Sequence, residues 1–493
     1  MSKSQSHDFA YLPSDIFWMI LGYLGTTDIV RSRRVSRAWN AALSNPAMLA
    51  PILKREFPWT TEAKQLSKSS DSQCHASALE MFDQVASRYF HLEQAKPRSI
   101  QKYQLCDAFG STKEHEWYQV KPWDTHSSHN MGVIGKICTE ALWTVEDRLV
   151  VYPSAQHRCL VLMDLETDRQ FMIPFIISGK VVRRVRLAKR LLIVEWAESK
   201  AFHWLNESDG VHRHFASSFD VSQSANDGWN IIPRNEWKIM FLGHPLSERD
   251  RFFSSHNNTH YVIYTWQPNR SLYTADDDAP IESMFVWDIS SQSSYRPSSD
   301  PSGRLRDDAP DGSPHIVSRF SFRDLEFFGI RQRGCPSMQR LRVTDDSQAI
   351  EITESRVPSS GYSETMLLPE LISTSIPVNG HGPHWRRKFP GVLPPYRGNC
   401  GLNAEPIRCN GMTIDQWFPI TCHITDNGAV DFRLTFDFTG YHGTDNLTIK
   451  TPRSTFTDGK SMDFISKGKI AGCERYIVGE NRNRQLVIYH FDR

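Results

Sequence analysis

From about residue 106 onward the sequence alternates short apolar runs with polar turns, and this repetition constrains the fold more than any other feature. In RLVVYPSAQHRCLVLMDLETDRQFMIPF, residues 148–175, three strand-sized runs centred on Val150, Leu162 and Met172 are separated by PSAQ and ETDR. Runs of this length, bounded by turn formers, build antiparallel meanders rather than helices. Related pieces occur at 190–210, at 259–266 with 283–290, and at 474–492, so nearly four hundred residues share one β grammar.

Leu149 and Leu191 are 42 residues apart, close to the repeat of a propeller blade at about 40–45 residues. The expected fold is therefore multidomain α + β: a small helical N-terminal module, a connecting helix, and a mainly-β C-terminal domain at 106–493 that forms a β-propeller with degenerate blades. At roughly 45 residues per blade it would hold six or seven. A pair of β-sandwiches is the alternative. Trp-Asp pairs occur at 123–124 and 287–288, and only Trp287-Asp288 closes an apolar run, so any similarity to tryptophan-aspartate propellers is loose.

The N-terminal segment reads LPSDIFWMILGYLGTTDIVRSRRVSRAWNAALSNPAMLAPILKREFPW from Leu12 to Trp59. Pro13 suits a first helical position, Ile16, Ile20 and Leu24 recur every four residues, and Gly25 stops the helix. Thr26 or Thr27 is expected to cap a second helix from Asp28, Ser36 a third carrying Trp39 and Leu43, and Asn45-Pro46 opens a fourth up to Glu56. Four short helices make a thin core, so part of the apolar surface should pack on another protein or domain.

Leu12-Pro13, the stripe Ile16, Ile20, Leu24, then Asp28 and Val35-Ser36-Arg37-x-Trp39 resemble the F-box, over roughly residues 9–58. F-boxes dock substrate receptors on the Skp adaptor of cullin-RING ubiquitin ligases. The resemblance implies that Leu12, Pro13, Ile16, Ile20 and Leu24 pack on that adaptor, with Val35 and Trp39 shaping or sharing the surface. It further implies a non-catalytic subunit of a Skp-cullin-F-box ligase, whose partners are the adaptor, the cullin through it, and a protein substrate. The alternatives are an adaptor-bound scaffold outside the ligase, or an enzyme with its site in the propeller channel. Ser14-Asp15 departs conservatively from the usual residue and Glu after Pro, and Phe17-Trp18-Met19 is unusually bulky.

Residues 59–105 are expected as a helical connector. Its part 61–77 is polar and serine-rich and reads as a loop, followed by a helix through Leu79, Phe82, Val85 and Tyr89 that orients the two ends. The interval 271–312, with nine acidic and three basic residues, holds a strand around Val286 and a disordered acidic, serine-rich loop at about 291–315. Residues 377–397 read as a crossing loop. Arg249, Arg251, Phe252 and Phe253 are candidate substrate contacts, because arginines and aromatics dominate interface hot spots.

The 57 Lys+Arg and 56 Asp+Glu nearly cancel, which disfavours a bulk nucleic-acid binder. In residues 1–60 the seven basic groups exceed the four acidic by only three, so Arg31, Arg33, Arg34 and Arg37 are expected on a solvated face or against an acidic patch of the adaptor. No apolar run is long enough for a membrane helix, and nine cysteines without CxxC spacing argue for reduced thiols in an intracellular protein, cytoplasmic or nuclear. Sequons at Asn206, Asn257 and Asn446 carry no weight in that setting. The pairs His126/His129 and His381/His384 lack further ligands at useful spacing, as does Cys400, Cys409, Cys422, His423, so neither metal nor cofactor is expected. No nucleophile elbow, P-loop or dinucleotide fingerprint occurs.

Overall fold

The computed structural model describes residues 12–68, 73–94, 96–106, 142–204, 210–226, 228–245, 251–267, 280–301, 314–333, 338–356, 370–389, 416–423, 431–438, 444–450, 455–458, 470–481 and 483–492. Helices come first: α1 (Ser14–Leu21), α2 (Thr26–Ser32), α3 (Arg37–Leu43), α4 (Pro46–Glu56), α5 (Thr61–Lys68) and α6 (Gln73–Glu93). Pro13 lies one residue earlier than expected, at the N-cap of α1. Gly25 occupies that place before α2, which has no side-chain cap. The other two caps agree with the sequence: Ser36 Oγ accepts from the Trp39 amide at 3.1 Å, and Asn45 Oδ1 accepts from the Ala47 amide at 3.0 Å.

The first four helices are seven to eleven residues long, too short to persist in water without packing. Phe17, Leu21, Ile29, Leu43 and Leu53 supply a buried core against Phe82 and Val85 of α6. The same core continues into Ile477, Val487, Tyr489 and Phe491 of the β region, so the helical and β parts share apolar packing. The stretch 61–77, expected as a loop, instead contains α5 and the start of α6. Only Ala63 and Leu66 mark the apolar side of α5, too few to stand out by periodicity.

Among the described residues six antiparallel sheets follow, each of four strands and one with an added two-residue strand; in five of them the strands follow one another in chain order. The second sheet runs through Thr144–Glu146, Leu149–Ser154, Cys159–Asp164 and Gln170–Met172, the meander expected there with one strand added in front. The third comprises Lys180–Ala188, Leu191–Glu198, Gly210–Gln223 and Trp229–Pro245, with His203–Trp204 at its side. The fourth comprises Arg251–His256, His260–Gln267, Ile281–Asp288 and His315–Phe320; the fifth, Met338–Val343, Ala349–Arg356, Glu370–Pro377 and Trp385–Phe389. The sixth spans Gln416–His423, Asp431–Phe438, Thr444–Lys450 and Thr455–Asp458.

The first sheet joins distant parts of the chain. Ser99–Gln104 pairs antiparallel with Gln485–His490, which continues to Tyr476–Glu480 and Ile470–Gly472. The β region therefore begins within the interval 59–105 that the sequence suggested was helical. A six-residue strand of half-exposed, alternating pattern lacks the apolar run that marks an interior strand.

Other expectations change as well. Within the interval expected to be disordered, residues 291–301 fold against the third sheet: the Ser293 amide donates to Asn235 Oδ1 at 2.9 Å, and the Ser298 amide to Glu236 Oε1 at 3.0 Å. Residues 302–313 lie outside the described ones. The interval 377–397 contains the strand Trp385–Phe389, and 390–397 lie outside the described residues. Asn257 of one sequon is buried, donating to Thr344 O at 3.0 Å and Ser347 Oγ at 2.8 Å.

His256 ties the fourth sheet to the third through a 3.0 Å contact from Nε2 to Leu191 O. Burial, reinforced by the charge of Arg186, pulls its pKa down from 6.5 to about 4. Folding thus favours the neutral ring, a contribution present above pH 6.5 that declines as pH falls toward 4. Wild type should lose about 2 kcal/mol more than His256→Gln between pH 7 and pH 5, read from urea midpoints.

Candidate functional site

Packing divides the side chains of α1. Phe17 and Leu21 point into the core, and Trp18 packs on its edge. The opposite stripe stays outside: Ile16 is exposed, Met19 is 64% exposed, and Tyr23 in the following turn is 90% exposed. Ile16, Met19, Ile20 and Tyr23 sit at spacings of three and four, so they share one face. Val35, between α2 and α3, is 64% exposed.

Of the seven residues read as contacts, Pro13, Ile16 and Val35 are exposed, while Leu12, Ile20, Leu24 and Trp39 are half-buried. Leu12, Leu24 and Trp39 pack on the core of the module, so their first role is internal. Met19 and Tyr23, exposed on the same face, are not among the seven. The bulky run Phe17-Trp18-Met19 resolves into one core residue, one edge residue and one exposed residue, a division that the helical period alone could have suggested.

Arg33 holds this face in shape. Its Nε donates to Leu43 O at 3.2 Å, its Nη1 pairs with Asp83 of α6, and its guanidinium lies 5.5 Å from the Phe82 ring. Of the basic run, Arg33 is thus structural, whereas Arg31, Arg34 and Arg37 are exposed.

Below the module lies a buried ionic cluster. Arg88 of α6 is fully buried and meets Glu62 of α5 at 2.6 Å, Glu474 at 2.8 Å, and Asp492 through Nε. Arg475 reaches Glu62 at 2.9 Å and Glu166 of the second sheet at 2.7 Å. Tyr89 donates to Glu474 at 3.1 Å and accepts from the Trp59 indole. Gly472 enables the turn before Glu474, because at φ +155° a Cβ there would meet Tyr476 O at 2.2 Å.

The electrostatics follow from burial and partners. Burial opposes the charge on Arg88, but Asp492, Glu62 and Glu474 outweigh it and raise its pKa above the ordinary arginine range. For Glu62, burial is overcome by the Arg88 hydrogen bond and the charges of Arg88 and Arg475, and its pKa is lowered. For Glu474, burial wins and its pKa is raised. One cation thus binds α5, α6 and the strands of the first sheet together.

Among the described residues the remaining candidates are not brought together. Phe252 is buried between the third and fourth sheets beneath the guanidinium of Arg184 at 4.9 Å, a core position rather than a substrate contact. Arg249, His126, His129, Cys400 and Cys409 lie outside the described residues. His381 and His384 are exposed. Among the described residues no three His, Cys, Asp or Glu side chains are placed to hold a metal ion, and no helix is long and apolar enough to cross a membrane.

No curated protein matches the sequence. Among solved structures, a chain of a mitotic checkpoint complex is similar at a TM-score of 0.32 and 8% identity, with 81% of this chain and 96% of that one covered. An oligogalacturonate lyase in complex with manganese is similar at 0.24 and 10%, with 79% and 74% covered. The tricorn protease is similar at 0.25 and 11%, with 63% and 26% covered. None of these likenesses assigns an activity to the chain. The helical module is different: residues 9–49 match the F-box-like family, and the chain therefore carries an F-box-like domain at that position, followed by a mostly-β region of four-stranded sheets.

Proposed function

We propose that the protein is the substrate-recognition subunit of a Skp-cullin-F-box ubiquitin ligase. One observation carries this reading: the F-box-like module keeps Ile16, Met19, Tyr23 and Val35 exposed although its own core is filled. An apolar face left outside a completed core fits a partner surface. The Skp adaptor would cover it, and the β region would hold the protein to be modified.

The β region is read as a six-bladed propeller. The sequential order of strands within five of the sheets supports this, as does the pairing of Ser99–Gln104 with the last strand, which would close a ring. Catalysis in such an assembly comes from proximity, since the bound enzyme supplies the chemistry and the receptor supplies position. The cluster around Arg88 serves that purpose by joining the adaptor-binding helices to the first sheet without a flexible hinge. No catalytic residue is assigned to this chain.

The reading is tested by native affinity purification of the full-length protein from its own cells. Recovery of both the adaptor and the cullin is the expected result. Recovery of the adaptor without the cullin would replace the ligase reading with that of an adaptor-bound scaffold.

A further inference from the structure

Where the fourth and fifth sheets meet, the surface carries exposed aromatic rings on an ordered base. Helix α7 (Phe322–Phe327) is closed at its start by a reciprocal cap, in which the Ser321 amide donates to Asp324 Oδ2 at 2.7 Å and Ser321 Oγ accepts from the Asp324 amide. It ends at Gly329, whose φ of +69° turns the chain beside Arg386. Leu325 and Phe328 anchor it in the core, but Phe327 is 74% exposed. The Phe327 and Phe328 rings lie 5.7 and 5.3 Å from His384, and Trp385, next along the chain, is 71% exposed. Phe322, also exposed, lies 5.2 Å from the Arg331 guanidinium.

Charge defines what such a surface can meet. Residues 315–333 and 381–388 together contain seven Lys or Arg and two acidic residues. Both acids already have work within the fold: Asp324 completes the helix cap, and Glu326 pairs with Arg331 at 2.9 Å and with Arg333. From beneath, buried Glu282 reaches Arg331 at 3.8 Å and buried Glu354 reaches Arg386 at 3.9 Å; seven cations against four carboxylates still leave the rings in a net positive surround, on a base held by packing. Aromatic and arginine side chains in this arrangement dominate interface energetics, and opposite charge on the partner raises the association rate.

We propose that this aromatic and basic surface, built on α7 and the strand Trp385–Phe389, is a docking site for an acidic segment of a partner protein, one that sets apolar side chains against Phe327 and Phe322. The inference rests on the reading of the β region as the substrate-holding end and names the chemistry of what is held there. Carboxylates of the segment meet the flanking arginines, and its apolar residues cover the rings.

The test is selection of a displayed library of random 12-residue peptides on the full-length protein, followed by fluorescence polarisation with the enriched peptides. Enrichment in Asp, Glu and large apolar residues is expected, with affinity falling at least tenfold in Phe327→Ser and in Arg323→Glu/Arg333→Glu, and falling as salt rises. These side chains are exposed, and the unchanged circular dichroism and melting of each variant would verify its fold. No enrichment, enrichment in basic residues, or equal binding to wild type and variants would overturn the proposal. So would saturation of the surface by single-stranded oligothymidine with the same variant sensitivity but no acidic peptide binding. An Ile16→Asp/Met19→Asp variant should keep peptide binding, which separates failure of this site from failure of the adaptor face.

Discussion

Replacing Arg88 with alanine is expected to destabilise the protein by about 3–5 kcal/mol, the usual cost of stranding buried charges by removing one partner. Arg88 is fully buried and is the shared cation of Glu62, Glu474 and Asp492. Arg475 remains near Glu62 but is itself partly exposed and also serves Glu166. Glu474, whose pKa burial already raises, would lose the Arg88 charge that opposes that rise and keep only the weaker influence of Arg475, so its pKa would move further up. Urea unfolding followed by tryptophan fluorescence measures the loss. Amide exchange should localise it to α5, α6 and the strands Tyr476–Glu480 and Gln485–His490, with the fourth and fifth sheets unchanged. Equal protection in all six sheets of the variant would show that Arg88 does not couple the two parts.

The pH response of this cluster has two opposed parts. Glu62, with a lowered pKa, contributes stability above the ordinary carboxylate range and loses it as pH falls. Glu474, with a raised pKa, acts the other way, its unfavourable contribution growing as pH rises through its folded value. The cluster is consequently a weak acid sensor, and the steeper acid loss between pH 6.5 and 4 belongs to His256.

Much of this architecture was legible in the residues. The runs around Val150, Leu162 and Met172 became strands of one sheet, and the punctuation at Ser36 and Asn45-Pro46 became helix starts, because local chemistry decides such features. What stayed hidden depended on distant partners. Arg88 reads as one charge on an amphipathic helix; its partner Glu474 is 386 residues away. Helix α5 has too few apolar residues to betray itself, and Ser99–Gln104 becomes a strand because Gln485–His490 offers it an edge. At the candidate site, the stripe of Ile16, Ile20 and Leu24 follows α1 and the turn after it but mixes exposed residues with core-packed ones. The exposed set shifted toward Met19 and Tyr23 once Phe17 and Leu21 had claimed the interior.

The second large effect concerns that face. Ile16→Asp/Met19→Asp places two charges where an apolar partner must seat, and each buried unpaired carboxylate costs several kcal/mol. At 1.4 kcal/mol per tenfold, adaptor affinity should fall at least 100-fold. Both positions are exposed, so the free protein should melt as wild type does. Leu24→Ala is the informative contrast, since that side chain packs on the core and its loss should lower stability as well as binding. The most direct measurement is calorimetric titration of purified Skp adaptor into the full-length protein and into the Ile16→Asp/Met19→Asp variant. Saturable 1:1 binding at micromolar affinity or tighter, lost in the folded variant, is predicted; no heat of binding to wild type, or equal affinity for both proteins, would contradict the account.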